Sequence, residues 1–183
     1  SAGERKITMQ TAIIFDMDGT LFQTNLILEP ALEQTFEYLR QNGHWSGATP
    51  IEQYRQIMGV PLNVVWETLC PDLTDEIREQ SNEHFQLMLI DQIQRGNGAL
   101  YPDVFPTLQK LSEHYPLYIA SNGQTAYLQA IAAHYRLDRW IKAVYSIDCV
   151  DTNNKSHLVQ HIMKEHHINN GYVVGDRASD INA

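Results

Sequence analysis

The feature that most constrains this chain is a recurring unit: a short apolar run, rich in β-branched residues, that stops at polar or glycine residues. Thr11-Ala12-Ile13-Ile14-Phe15, Leu117-Tyr118-Ile119-Ala120, Ala143-Val144-Tyr145-Ser146-Ile147 and Gly171-Tyr172-Val173-Val174 all follow it. Runs this short and this continuously apolar read as strands buried on both faces. Helical spacing fills the gaps between them. Residues 103–113 place Val104, Leu108 and Leu111 on one face, and residues 124–134 do the same with Tyr127, Leu128 and Ile131. Residues 156–165 repeat the pattern with Leu158, Val159, Ile162 and Met163. Strands alternating with helices of this length predict βαβ crossovers and a parallel sheet, hence an α/β fold.

One interval breaks the alternation. Residues 23–99 contain no strand pattern but several helical ones: 28–41 with Leu32, Phe36 and Leu39, two short segments at 51–58 and 62–69, and a long one at 74–93. Pro50, Pro61 and Pro71 punctuate them, Asn42-Gly43 reads as a stop, and Thr74 is a candidate N-cap. Gly96-Asn97-Gly98 closes the interval as a joint. The expected organisation is a core formed by residues 1–22 and 100–183, with residues 23–99 inserted after the first strand.

The carboxylates fall at strand ends. Asp16 and Asp18 follow the first run, Ser121-Asn122-Gly123 the second, and Asp176 and Asp180 the last. In an open parallel sheet, sites form beyond the carboxyl ends of strands, where the strand order reverses. Asp16, Asp18 and Asp176 crowded together would repel one another unless a cation lay among them. Donors made only of oxygen suit Mg²⁺, which takes one or two carboxylates, waters and a phosphate oxygen. Gly19 permits close backbone approach to an anion, and Thr20 offers a hydroxyl donor. Lys155 opens a helix whose ammonium would balance the charge and hold a phosphoryl group.

Taken in order, Asp16-Met17-Asp18-Gly19-Thr20, Ser121, Lys155 and Gly175-Asp176-Arg177-Ala178-Ser179-Asp180 resemble the four motifs of the haloacid dehalogenase-like superfamily of phosphohydrolases. The resemblance runs from Thr11 to Asn182. It implies a Rossmann-like core carrying an α-helical cap at residues 23–99, and Leu100-Tyr101-Pro102-Asp103-Val104 resembles the return to the core in the phosphoglycolate phosphatase and β-phosphoglucomutase branch. By that likeness Asp16 is the nucleophile, Asp18 the general acid/base, Ser121 a phosphate ligand, and Lys155 a support for both. Gly19, Thr20, Asn122 and Gly123 would line the phosphate site. Asp16, Asp18 through its carbonyl, and Asp176 would hold Mg²⁺, with Asp180 behind them. An acid at position 18 favours ester hydrolysis over dehalogenation, because it can protonate a leaving alkoxide and then activate water.

The implied reaction is Mg²⁺-dependent hydrolysis of a small phosphorylated metabolite through an aspartyl-phosphate. A sugar-phosphate mutase, a non-catalytic phosphoacceptor and an inactive fragment stay open as alternatives. Members of the superfamily continue beyond the fourth motif, so the stop at Ala183 leads us to expect a shortened core with residues 172–174 at an exposed sheet edge. Whether the chain is a monomer or a homodimer is left open by the sequence.

Composition narrows the partners. The net charge of −9 lacks the cationic footprint that holding nucleic acid, or anionic lipid, requires. No run approaches the roughly 18 apolar residues of a membrane span, and residues 1–10 lack the apolar stretch of a secretory signal. Two cysteines, Cys70 and Cys149, make no disulfide framework and are expected to be buried, so a reduced, cytoplasmic location is expected. His157 and His161 stand four apart on a helix, but without the adjacent Glu of a zinc-hydrolase motif they read as a polar face. Trp45, Trp66 and Trp140 read as packing residues.

Overall fold

A computed structural model of the chain describes residues 10–175. Asp176 and Asp180, the two candidate metal ligands of the last motif, lie outside the described residues. Among the described residues four strands form one sheet: β1 (Thr11–Phe15), β2 (Leu117–Ser121), β3 (Ile141–Ser146) and β4 (Asn170–Val174). Every pairing is parallel and the order is β3-β2-β1-β4. The chain therefore steps outward from β1 to β2 to β3 and then crosses back to the other side of β1. That reversal makes the carboxyl end of β1 the switch point of the sheet.

The helices are α1 (Asn25–Gln41), α2 (Ile51–Gln56), α3 (Leu62–Leu69), α4 (Asp75–Gln94), α5 (Val104–Ser112), α6 (Thr125–His134) and α7 (Lys155–Glu165). Among the described residues, those up to Gln23 and those from Leu100 onward form one compact unit, and Thr24–Ala99 form a second.

In the sheet-containing unit, side chains of β1 alternate between faces. Ala12 and Ile14 join Tyr118 and Ala120 to meet Leu158, Val159 and Ile162 of α7 in one buried cluster. Burying one of these Ile or Leu side chains contributes about 2–5 kcal/mol, judged by what truncation to Ala costs in cores. β4 is an edge strand among the described residues, and Tyr172 and Val174 on one of its faces are 58% and 41% exposed. Where the chain leaves β1 and where it returns are tied together: the Tyr101 N–H donates to the Leu21 carbonyl (3.0 Å) and Gln23 Nε2 to the Leu100 carbonyl (3.1 Å).

The helical unit has its own core. Leu32, Phe36 and Leu39 of α1, Trp66 of α3, and Phe85 and Leu89 of α4 are buried. Trp66 closes this core with a hydrogen bond from its indole N–H to Asn82 Oδ1 (3.0 Å), the partner a buried indole needs. Thr74 caps α4 by accepting from the Ile77 N–H (3.2 Å). Trp45 packs edge-on against Phe36, with ring centroids 4.8 Å apart. No described helix is long and apolar enough to cross a membrane.

Three sequence expectations shift. The third strand begins at Ile141, not Ala143, and ends at Ser146, after which Ile147–Cys149 form a 3₁₀ turn. The Ser146 hydroxyl ends the strand by accepting from the Asp148 N–H (3.1 Å). Helix α1 begins at Asn25 and keeps Pro30 inside it, rather than starting nearer the proline. Cys149 is exposed; only Cys70 is buried, and burial pushes its thiol up to about 11.

Candidate active site

Asp16 is the first residue beyond β1, at the switch point. It continues the alternation that turns Ile14 toward α7, so its side chain meets the start of that helix. α7 begins at Lys155 because Asn154 caps it, accepting from the His157 N–H (3.3 Å). Lys155 Nζ lies 3.0 Å from Asp16 Oδ1, and each side chain is 5% exposed. A lysine is rarely buried unless paired, and this one is. The Met17 N–H also donates to Asp16 Oδ1, at 2.8 Å. The carboxylate therefore receives an ammonium and a backbone donor at one oxygen.

Residues 17–22 form a tight turn. The Met17 carbonyl accepts from the N–H groups of Thr20, Leu21 and Phe22 at 3.3, 3.0 and 3.0 Å, while the Gly19 N–H donates to the Phe22 carbonyl at 2.9 Å. Gly19 takes φ +75°, the left-handed conformation that glycine adopts without a Cβ penalty. Met17, Leu21 and Phe22 are buried and pin the turn. The turn presents Asp18 beside α6, where the Tyr127 hydroxyl donates to Asp18 Oδ1 at 2.6 Å. Thr20 Oγ1 is buried without a hydrogen-bond partner among the described residues. It borders a cavity of about 390 Å³ shared with Phe15, Leu21, Tyr101, Leu108 and Val174.

Ser121 ends β2 and is buried; its Oγ accepts from the Gly123 N–H at 3.0 Å, closing a small hydroxyl turn. Asn122 at the crest of that turn is exposed. Ser146, at the end of β3, donates from Oγ to the Gly123 carbonyl at 2.6 Å and so anchors the loop from the neighbouring strand. Gly123 tolerates no larger residue without movement, since a Cβ there would stand 3.0 Å from Tyr127 Cδ1 and 3.2 Å from Leu128 Cδ2.

The structure thus brings Asp16 and Lys155 together at the end of β1 and sets Ser121, Asn122 and Gly123 at the end of the adjacent β2. Gly19 and Thr20 lie in the turn that follows Asp16. Two residues that the sequence reading left out, Tyr127 and Ser146, hold Asp18 and the Ser121–Gly123 loop. Tyr127 appears in the sequence only as part of an apolar helical face, and nothing local separates it from a packing residue.

Other candidates are placed elsewhere. His157 Nδ1 lies 2.7 Å from Thr152 Oγ1, and His161 Nε2 pairs with Glu165 at 3.1 Å, one turn along α7. At the far end of α7, His166 Nε2 lies 2.6 Å from the Tyr145 hydroxyl. Burial, together with the nearby Glu165 carboxylate, pushes that phenol up to about 12. Among the described residues no three His, Cys, Asp or Glu side chains are grouped to hold a metal. The oxygen donors of the Asp16–Asp18 turn are of the hard type that suits Mg²⁺.

A family model described as haloacid dehalogenase-like hydrolase matches residues 13–183. A comparison with curated protein sequences gives no match. Among solved structures the chain is similar to a predicted phosphoglycolate phosphatase from Haemophilus somnus, with 19% identity, a TM-score of 0.75, and coverage of 96% of this chain and 80% of that one. It is similar to a haloacid dehalogenase-like family hydrolase from Streptococcus pneumoniae, with 20% identity, a TM-score of 0.67, and 95% and 79% coverage. A haloacid dehalogenase-superfamily hydrolase from Geobacter sulfurreducens gives 14% identity, a TM-score of 0.69, and 94% and 80% coverage. At these identities the structural likeness speaks to the fold.

Proposed function

Since the chain belongs to the haloacid dehalogenase-like hydrolase family, we propose that it is a phosphatase of small phosphomonoesters, acting through a phosphorylated Asp16. The observation that carries this reading is the buried pair of Lys155 and Asp16 at the carboxyl end of the central strand, 3.0 Å apart. A carboxylate held by an ammonium and a backbone N–H is oriented, as a nucleophile must be. The phosphatase described from Haemophilus somnus supports the same class of substrate.

In this reading an Asp16 oxygen attacks phosphorus while the bond from phosphorus to the ester oxygen breaks. The Asp18 carboxyl gives its proton to that oxygen as it leaves. The resulting Asp18 carboxylate then takes a proton from water, whose oxygen attacks the phosphorus of the acyl phosphate. Phosphate departs and the Asp16 carboxylate is restored. Lys155, the Ser121 hydroxyl and the Asn122 N–H stabilise charge on the transferring group, with Gly123, whose N–H donates to Ser121 Oγ, closing the loop that presents them. Gly19 and Thr20 shape the turn that follows Asp16.

The oxygen donors of the turn suit Mg²⁺: the Asp16 carboxylate and the Asp18 carbonyl would hold it, and the family motif would add Asp176 and Asp180. When bound, the ion neutralises phosphoryl charge and lets anionic ester and carboxylate approach. Residues 23–99 serve as the helical cap that selects the leaving group.

The test is release of phosphate from p-nitrophenyl phosphate with Mg²⁺, with a chelator, and with Asp16→Asn. Release that needs Mg²⁺ and falls by at least a hundredfold in Asp16→Asn is expected. Equal release in all three arms discards the reading.

A further inference from the structure

We infer that Tyr127 is a positioning residue for Asp18: its hydroxyl clamps Asp18 Oδ1 and fixes the plane of the carboxyl group that serves the leaving oxygen. The inference rests on the phosphatase reading given above and extends it to a residue that never touches phosphorus.

The geometry is specific. Tyr127 lies in the first turn of α6, is 4% exposed as a residue, and donates from its hydroxyl to Asp18 Oδ1 at 2.6 Å. That is the short end of the range for hydroxyl hydrogen bonds. The two residues are 109 positions apart in sequence, so the contact joins the turn after β1 to the helix after β2. Both ends are stiff. The turn is held by three donors on the Met17 carbonyl, and the Tyr127 ring fills the space that a Cβ on Gly123 would invade.

A carboxyl group has two oxygens and rotates about one bond. A phenol donating to one of them stops that rotation and occupies a lone pair where a proton would otherwise sit. A proton donor must sit within hydrogen-bond reach of the atom it serves, so clamping the carboxyl plane matters most where the leaving oxygen most needs a proton.

This dependence on the leaving group separates a positioning role from a structural one. Alkoxides are poor leaving groups and require the proton; p-nitrophenolate leaves without it. Tyr127→Phe keeps the ring and removes only the hydroxyl. The measurement is kcat/KM, which covers all steps through departure of the leaving group, for glycerol phosphate and for p-nitrophenyl phosphate with Mg²⁺. In Tyr127→Phe the value for glycerol phosphate is expected to fall roughly tenfold or more, while that for p-nitrophenyl phosphate stays within about twofold. Their ratio does not depend on the fraction of chain that is folded, so partial misfolding leaves the result readable. An unchanged ratio, whether both values fall or neither does, overturns the positioning role. Asp16→Asn separates the two claims. Turnover that vanishes in Asp16→Asn while the Tyr127→Phe ratio stays at the wild-type value overturns the positioning role alone, and a wild-type chain that hydrolyses neither ester overturns both.

Discussion

Lys155 Nζ sits 3.0 Å from Asp16 Oδ1 with each side chain 5% exposed, although the two residues lie on opposite sides of the helical insertion in sequence. The crossover that returns from β3 to β4 packs α7 on the sheet face that Ala12, Ile14, Tyr118 and Ala120 share, and the cap at Asn154 starts that helix with Lys155 beside Asp16. A buried ion pair gains little over an apolar pair of the same shape, yet losing one member strands the other.

Lys155→Met is therefore expected to lower stability by about 3 kcal/mol or more, because it leaves the Asp16 carboxylate without its ammonium. Adding Asp16→Asn to it recovers a large part of that loss, since no unpaired charge remains. Urea midpoints of the two single variants and the double variant give the coupling directly. Equal losses that simply add would mean the pair is not coupled.

Ser146→Ala removes the 2.6 Å hydrogen bond to the Gly123 carbonyl and the acceptor of the Asp148 N–H. A loss of about 1–3 kcal/mol in unfolding free energy is expected, as for other buried polar groups deprived of a partner. Phosphate release is also expected to weaken, chiefly through a raised KM, because the Ser121–Gly123 loop loses its anchor on the neighbouring strand.

These anchors mark the boundary of what was legible in the sequence. The β1 run and Asp16 at its end stand out because a buried parallel strand is continuous and apolar, and a charged residue there announces the end of burial. The helical insertion is visible because its periodicity never drops to two. Lys155 shows only its type, since a lysine next to a helix start is ordinarily solvated and its burial depends on where α7 crosses the sheet. Tyr127 and Ser146 have no local mark at all. Their partners, Asp18 and Gly123, lie 109 and 23 residues away, and only the strand order brings them near. The start of β3 was misplaced for a related reason: its pairing with β2 carries a register shift at Leu117/Tyr118, and the exposed Lys142 interrupts the apolar run. In α1, Pro30 hid the true start, because a proline reads as a first-turn residue whereas the helix already begins at Asn25.

In the helical unit, His84 of α4 stacks on Tyr38 of α1, with ring centroids 4.1 Å apart and an interplanar angle of 11°. Burial holds its imidazole below the usual histidine value. A histidine whose folded value is depressed binds its proton more readily in the unfolded chain. Its contribution to stability is therefore present above the unfolded value, about 6.5, and is lost as pH falls through the folded one. Urea midpoints measured from pH 7.5 down to 5.5 are expected to fall more steeply in the wild type than in His84→Phe, which keeps an aromatic ring against Tyr38. Parallel curves would show that His84 does not carry the dependence.

The most direct measurement looks for phosphorus on Asp16 itself. The wild-type chain is mixed with p-nitrophenyl phosphate and Mg²⁺, quenched in acid during turnover and digested, and its peptides are weighed by mass spectrometry. A phosphoryl adduct on the peptide containing Asp16, absent from Asp16→Asn, is the expected result. Sustained release of phosphate with Asp16 unmodified at every quench time would contradict it.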